Sequence, residues 1–182
     1  MTIKGAFDRQ NDGQVKIEFD EEHNPDVRDF KPFLAKLRGR TDLDAVLVLL
    51  MVNGQCGLFA KQAREMGLKI PLFNIEGFED AHEQALAQGA LTGHWYVTNA
   101  DPSGEFLAAY RRRYPQDSIF AAGNGHDAML LLAAAAGKNL KSEALNRFLH
   151  EVRDFKGVLG TFSATEDNRF TLPAAVKEVT AN

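Results

Sequence analysis

The chain predicts an α/β fold built on a parallel sheet and joined to a helical segment. Three observations predict it. Residues 44–77 read as strand, helix, strand: an apolar run Ala45-Val-Leu-Val-Leu-Leu-Met-Val52, a turn at Asn53-Gly54-Gln55, a helix Leu58–Met66 stopped by Gly67, and a second apolar run Ile70–Ile75 ahead of Glu76-Gly77. An unbroken apolar run marks a strand covered on both faces, as in parallel sheets. Residues 103–152 then carry helical periodicities only, and the tail returns to short strands. Alternating elements, then helices, then strands divide an α/β chain into two parts.

The elements follow in order. Residues 2–10 read as the end of a helix with Ile3, Ala6 and Phe7 on one side, broken by Gly13. Val15-Lys-Ile-Glu-Phe19 alternates strictly and predicts an edge or half-buried strand. After the turn Asn24-Pro25-Asp26, Asp29 caps a helix carrying Phe30, Phe33, Leu34 and Leu37 and closed by Gly39. Pro32 sits in its first turn, where a missing N–H costs little. The 44–77 unit comes next, then a short helix Glu79–Ala87 ended by Gly89, and a strand Leu91–Val97 interrupted by Gly93. Asn99-Ala-Asp-Pro-Ser-Gly104 is a loop suited to a hinge or crossover. Three helices follow: one capped by Ser103, one over Gly125–Ala136, and one capped by Ser142 with Leu145, Phe148, Leu149 and Val152 at helical spacing. The tail predicts strands at Val158–Phe162, Phe170-Thr171 and Val176–Val179, with a turn at Glu166-Asp167-Asn168.

Composition bounds the function. The 182 residues are 45% hydrophobic and 25% charged, ordinary for a globular domain with a sizeable core. A net charge of −4 gives no electrostatic case for nucleic acid. The one basic run, Arg111-Arg112-Arg113, lies in a helical pattern with Phe106, Leu107 and Tyr110 and reads as a solvated face. A single cysteine excludes an internal disulfide and a cysteine metal site. No stretch is long and apolar enough to span a bilayer. The opening Met1-Thr-Ile-Lys-Gly5 lacks the pattern of a signal peptide, so the chain as written would stay in the cytoplasm unless a leader has been removed.

Ligands of open parallel sheets sit beyond the carboxyl ends of the strands. Asn53, Gly54, Gln55 and Glu76 follow the ends of two neighbouring strands and are the candidate ligand-binding residues. Cys56 in Gly54-Gln-Cys-Gly57 occupies the strand-to-helix turn of a nucleophile elbow. His94 or His126, with Asp127 as orienter, would complete a hydrolase or amidotransferase. Gly54 fits that pattern and Leu58 does not, and a thiol there also reads as a small buried hydrophobe. Trp95 and Tyr96 can line a cleft mouth or pack in the core. His23, His82 and His150 show no metal spacing, and no Gly-rich phosphate loop or dinucleotide fingerprint calls for a cofactor.

Several segments together resemble a known family. They are Asp29-Phe-Lys-Pro-Phe-Leu34, Asp44-Ala-Val46, Phe59-Ala-Lys-Gln-Ala-Arg-Glu-Met-Gly-Leu-Lys69, Phe106-Leu-Ala-Ala-Tyr-Arg-Arg-Arg-Tyr-Pro115, His126-Asp-Ala-Met-Leu-Leu-Leu132 and Phe155-Lys-Gly-Val-Leu-Gly-Thr-Phe162. No single motif is diagnostic, but their order and spacing are similar to the type I periplasmic binding proteins, in the branch serving branched-chain amino-acid ABC transporters. The resemblance implies two Rossmann-like α/β lobes around a cleft, with three crossings of a hinge. On that plan residues 1–98 are most of the second lobe, 99–153 are helices that complete the first, and 154–182 return to the second. The first lobe's own sheet and the second lobe's opening strand lie outside the chain.

The resemblance further implies a non-enzymatic solute binder for a small amino acid or related carboxylate, an ABC permease as partner, and a periplasmic location. Glu76 matches the position where amino-acid binders place an acid on the ligand ammonium, a charge-assisted hydrogen bond. This chain has Val52-Asn53 where the family often has an aromatic residue, His126 in place of a tyrosine, and Gly123 where a bulky group can face the cleft. A ligand-sensing domain of a receptor or regulator would use the same fold. Finally, Phe106, Leu107, Tyr110, Leu130, Leu131, Leu145, Phe148 and Leu149 have no sheet of their own to cover. Each is worth about 1.5–3 kcal/mol when buried, so the helices are expected to fold back onto residues 1–98 or to pair with a second chain or a second copy.

Overall fold

A computed structural model describes residues 3–138 and 141–181, with residues 3, 4 and 6 described by their backbone alone. The first helix is α1 (Ile3–Gln10); of its expected apolar side, Ile3 and Ala6 lie outside the described side chains, and Phe7 is half-buried. The alternation at Val15–Phe19 does not become a strand. Val15 and Ile17 are exposed, and the segment runs beside α2 (Lys31–Leu37), where Glu21 pairs with Lys36 at 2.8 Å and the Arg40 guanidinium lies over the Phe19 ring. Alternation prepares one apolar face, but a strand also needs a neighbour to share its hydrogen bonds.

The strand–helix–strand unit forms as β1 (Val46–Leu47), α3 (Gln55–Glu65) and β2 (Leu72–Ile75), with α4 (Ala81–Ala87) and β3 (Trp95–Asn99) after it. β1, β2 and β3 are parallel neighbours, with Leu47 opposite Phe73 and Phe73 opposite Trp95. β6 (Ala174–Glu178) closes the sheet antiparallel to β3, giving the order β1-β2-β3-β6. The long apolar run 45–52 thus yields a short edge strand. Only Val48 is fully buried, while Leu47 and Met51 are exposed.

The helices begin for local reasons. Asp29 accepts the Lys31 N–H at 3.1 Å ahead of α2, and Asp80 accepts the His82 N–H at 2.7 Å at the start of α4. Ser103 accepts the Phe106 N–H at the start of α5 (Gly104–Arg113). One core joins α2, α3 and α4 to the sheet through Phe30, Leu34, Val48, Phe59, Leu72, Phe78, Leu91 and Tyr96. Two glutamines of α3 anchor the chain before α2. Gln62 accepts the Phe30 N–H at 2.7 Å, and Gln55 donates to the carbonyls of Pro25 and Val27.

A second core is separate. Leu131 of α6 (Ala122–Gly137) packs with Val152 and Phe162, supported by Phe148 of α7 (Ser142–Glu151), Phe155 and Leu172. The hairpin β4 (Phe155–Gly157) and β5 (Gly160–Phe162) belongs to this cluster. Leu131 of α6 and Phe148 of α7 thus pack against residues 152–172, while Phe106 of α5 lies edge-on to His126 of α6, and the tail joins the sheet at Ala174. Asp127 makes this possible: its buried carboxylate accepts the N–H groups of Val158 at 2.8 Å and Leu159 at 3.1 Å. The outer face of α6 keeps Met129, Leu130 and Leu132 exposed. The two cores are linked by the crossings near 100–103 and 172–173, which bond to each other through Ala100 N–H and Pro173 O at 2.9 Å.

Candidate functional site

A depression of about 170 Å³ lies beyond the carboxyl ends of β1 and β2. Leu50, Met51, Val52 and Asn53 line it from the β1 side, and Asn74, Ile75, Glu76 and Gly77 from the β2 side, with Cys56, Asp80, Glu83 and Phe120 completing the wall. It lies where a parallel sheet places its ligands. Glu76 and Asn53, both expected there, face it and are exposed. Glu76 has φ +35°, a left-handed conformation uncommon for a side-chain-bearing residue. It is held by its N–H to Val97 O at 2.8 Å and by its carbonyl, which accepts the Glu79 N–H at 2.9 Å.

Gly54 and Gln55 are placed differently. Gly54 caps α3 with φ +86° and leaves the wall to its neighbours. Gln55 is fully buried, and its amide nitrogen is committed to Pro25 and Val27, with its Oε1 unpartnered. Phe120, from the segment between α5 and α6, was not legible as a site residue. It brings the helical part of the chain to a wall otherwise built by the first core. Asp80 and Glu83 were also missed. In sequence both fall inside the helix expected over Glu79–Ala87, away from any strand end.

The floor is a small polar network. Asn74 is buried, donates to Val48 O and to Cys56 Sγ at 3.4 Å, and accepts the Gly77 N–H at 2.9 Å. It thereby ties the ends of β1 and β2 and the turn Gly77–Glu79 together. Cys56 donates to Leu50 O at 3.3 Å. Burial, and secondarily the Glu83 charge, push its thiol up to about 12. The elbow reading required an imidazole on this sulfur. His94 instead uses Nδ1 to accept the Leu72 N–H at the far end of β2, and burial lowers its pKa. His126 pairs with Asp127 at 3.2 Å in the second part of the chain. The Cys56 environment stabilises a neutral thiol, the opposite of what activates a nucleophile.

Other candidates fall into packing roles. Tyr96 belongs to the core, and Trp95 stacks on Phe73 with ring centroids 4.4 Å apart. Gly123 faces the hairpin, where an added Cβ would lie 2.7 Å from Leu159 Cδ2. Arg111, Arg112 and Arg113 are exposed, as expected of a solvated face. Beside the site, Glu79 accepts from Thr98 Oγ1 at 3.0 Å and pairs with Lys177, which also reaches Asp101 at 2.6 Å in the crossing. Among the described residues, no helix is long and apolar enough to cross a membrane, and no group of three or more His, Cys, Asp or Glu could hold a metal ion.

Comparison with known proteins places this geometry. A family model described as periplasmic binding protein matches residues 9–182. Among proteins of curated function, none matches. The branched-chain amino acid transporter substrate binding protein LivJ from Streptococcus pneumoniae, solved in complex with isoleucine, superimposes with TM-score 0.79 at 26% identity, over 92% of this chain and 50% of its own. An extracellular ligand binding receptor from Desulfohalobium retbaense gives TM-score 0.73 at 26% identity, over 88% of this chain and 29% of its own. An ABC transporter solute binding protein from R. palustris, in complex with benzoate, shares the fold at TM-score 0.74 and 20% identity, over 97% of this chain and 51% of its own. The chain therefore spans about half the length of LivJ and of the benzoate-bound protein.

Proposed function

The chain belongs to the periplasmic binding protein family, and from that premise we propose that it serves as solute-binding part of an ABC transporter. Its ligand is a small amino acid, gripped by the ammonium group at Glu76 with Asn53 beside it. The observation that carries this reading is the wall of the depression. It contains the carboxylates of Glu76, Asp80 and Glu83 and no lysine, arginine or histidine. Such a wall attracts a cationic group and repels a bare carboxylate. Isoleucine bound to LivJ and benzoate bound to the R. palustris protein bracket the two classes, and this wall favours the first.

In this reading residues 1–98 and the returning tail form one lobe, and 99–153 carry the helices that complete the other. Ligand pockets hold roughly 300–1,000 Å³, so a depression of about 170 Å³ is one side of a cleft. Closure of the second part, bringing Phe120 over the ligand, would supply contacts absent in the open state and shift the population. The reading is of binding without chemistry, in the periplasm, with delivery to a permease.

The test is calorimetry and thermal unfolding with isoleucine, with 3-methylpentanoate (isoleucine without its amine), and with benzoate. Isoleucine raises the melting temperature and the two carboxylates do not. Glu76→Gln removes a charge-assisted hydrogen bond worth about 1.5–3 kcal/mol, weakening isoleucine binding about ten- to a hundredfold. Benzoate binding as tightly as isoleucine, or isoleucine binding that ignores Glu76→Gln, refutes the reading.

A further inference from the structure

The first turn of a helix presents unpaired N–H groups and a partial positive charge, and so is a ready seat for an anion. α3 begins beside the depression, immediately after Asn53, so a ligand carboxylate would be expected to use it. That seat is already taken. One oxygen of Glu83 accepts the Gly54 N–H and the other accepts the Gly57 N–H at 2.7 Å. Glu83 is 5% exposed. It comes from a neighbouring helix, α4, pressed so closely on α3 that a Cβ on Gly57 would lie 2.2 Å from the Glu83 carbonyl oxygen and 3.0 Å from Leu86 Cβ. With both oxygens engaged and its backbone pinned, this carboxylate cannot swing aside for a ligand. Its charge also reaches the wall, since it contributes to the raised thiol pKa of Cys56.

We propose that Glu83 is a specificity-determining residue: a built-in anion that fills the amide cradle of α3, excludes ligand carboxylates from it, and so orients an amino acid with its ammonium toward Glu76. This rests on the reading that the depression takes a ligand, but it is tested without an amino acid.

The experiment follows the Gly54 and Gly57 amides of the full chain by ¹⁵N NMR during titration with sodium benzoate. In the wild type neither amide moves. In Glu83→Ala both move saturably, with benzoate affinity at least about tenfold above wild type, the value of a charge-assisted bond to freed amides. Glu83→Gln keeps the size and one acceptor oxygen and loses the charge, so its gain lies between the two. It carries the test if Glu83→Ala does not fold. Wild-type amides that respond to benzoate as strongly as the variants, or variant amides that ignore benzoate, overturn the proposal. A parallel titration with isoleucine keeps the two conclusions apart. Silence toward isoleucine with the benzoate pattern intact sinks the amino-acid reading and leaves the plugged cradle standing.

Discussion

Gly57→Ala is the sharpest test of how the site is held. Gly57 lies within α3 and its φ is not positive, so alanine should improve the helix by about 1 kcal/mol on propensity alone. The structure dictates the reverse. The new Cβ would sit 2.2 Å from the backbone oxygen of Glu83 and 3.0 Å from Glu83 C and Leu86 Cβ. A backbone oxygen within a helix cannot rotate away, so α4 as a body must retreat by about 1 Å to restore ordinary contact. Overpacking of this kind costs about 1–3 kcal/mol. The retreat also stretches, without breaking, the Glu83 bonds to Gly54 and Gly57, a loss of about 2 kcal/mol out of the roughly 1.5–3 kcal/mol that each such bond to a charged group is worth. After the propensity gain, the expected loss is about 2–4 kcal/mol. Urea unfolding followed by circular dichroism should show a lower midpoint with an unchanged slope. Gly125→Ala is the control, because nothing lies within 4 Å of its Cβ position in α6, and its midpoint should hold or rise. A Gly57→Ala midpoint at or above wild type would refute the close α3–α4 packing, and with it the pinning of Glu83.

Two further outcomes follow from the same geometry. Cys56 resists iodoacetamide at neutral pH in the native protein and reacts rapidly in urea. Its folded pKa of about 12 lies above the ordinary value near 9, so the stability it supports is complete below pH 9 and is lost as pH rises from 9 through 12. Each unit of that window lowers the unfolding free energy by up to about 1.4 kcal/mol, and Cys56→Ala, measured over the same range, flattens the slope, leaving the share of Tyr96, whose pKa burial also raises. Asp101→Asn releases Lys177 from the crossing. Because Asp101 is largely exposed, the pair is worth at most about 1 kcal/mol, so amide exchange at Ala100 should rise roughly two- to fivefold. Exchange at Val179, bonded to His94 O at 2.8 Å, should not change; equal acceleration at both would show general fraying of β6.

Much of the fold was legible because local signals and burial agreed. Gly67 follows the end of α3, Ser103 caps α5, and the turn at Glu166–Asn168 lies between the bridged residues Ala164 and Phe170. Where the reading failed, the missing term was a neighbour. Val15–Phe19 has the alternation of a strand without a strand beside it, and the run 45–52 yields only the two-residue edge strand β1, with Met51 in solvent. Ser142 was expected as a cap, yet it is the first helical residue, with Lys141 outside it.

The candidate site divides the same way. Sequence alone placed Asn53 and Glu76 at adjacent strand ends, because strand direction and the turn after each strand are local properties. It placed Cys56 in the turn ahead of a helix beginning at Leu58, whereas α3 begins at Gln55 and Cys56 is already helical. Only the tertiary structure decided that Gln55 turns inward to the chain at Pro25–Val27, that Glu83 crosses from α4 to fill the amide cradle of α3, and that Phe120 arrives from the helical part of the chain. These contacts join residues far apart in the chain. Their energies depend on distance and burial in the assembled molecule, and spacing along the polypeptide encodes neither.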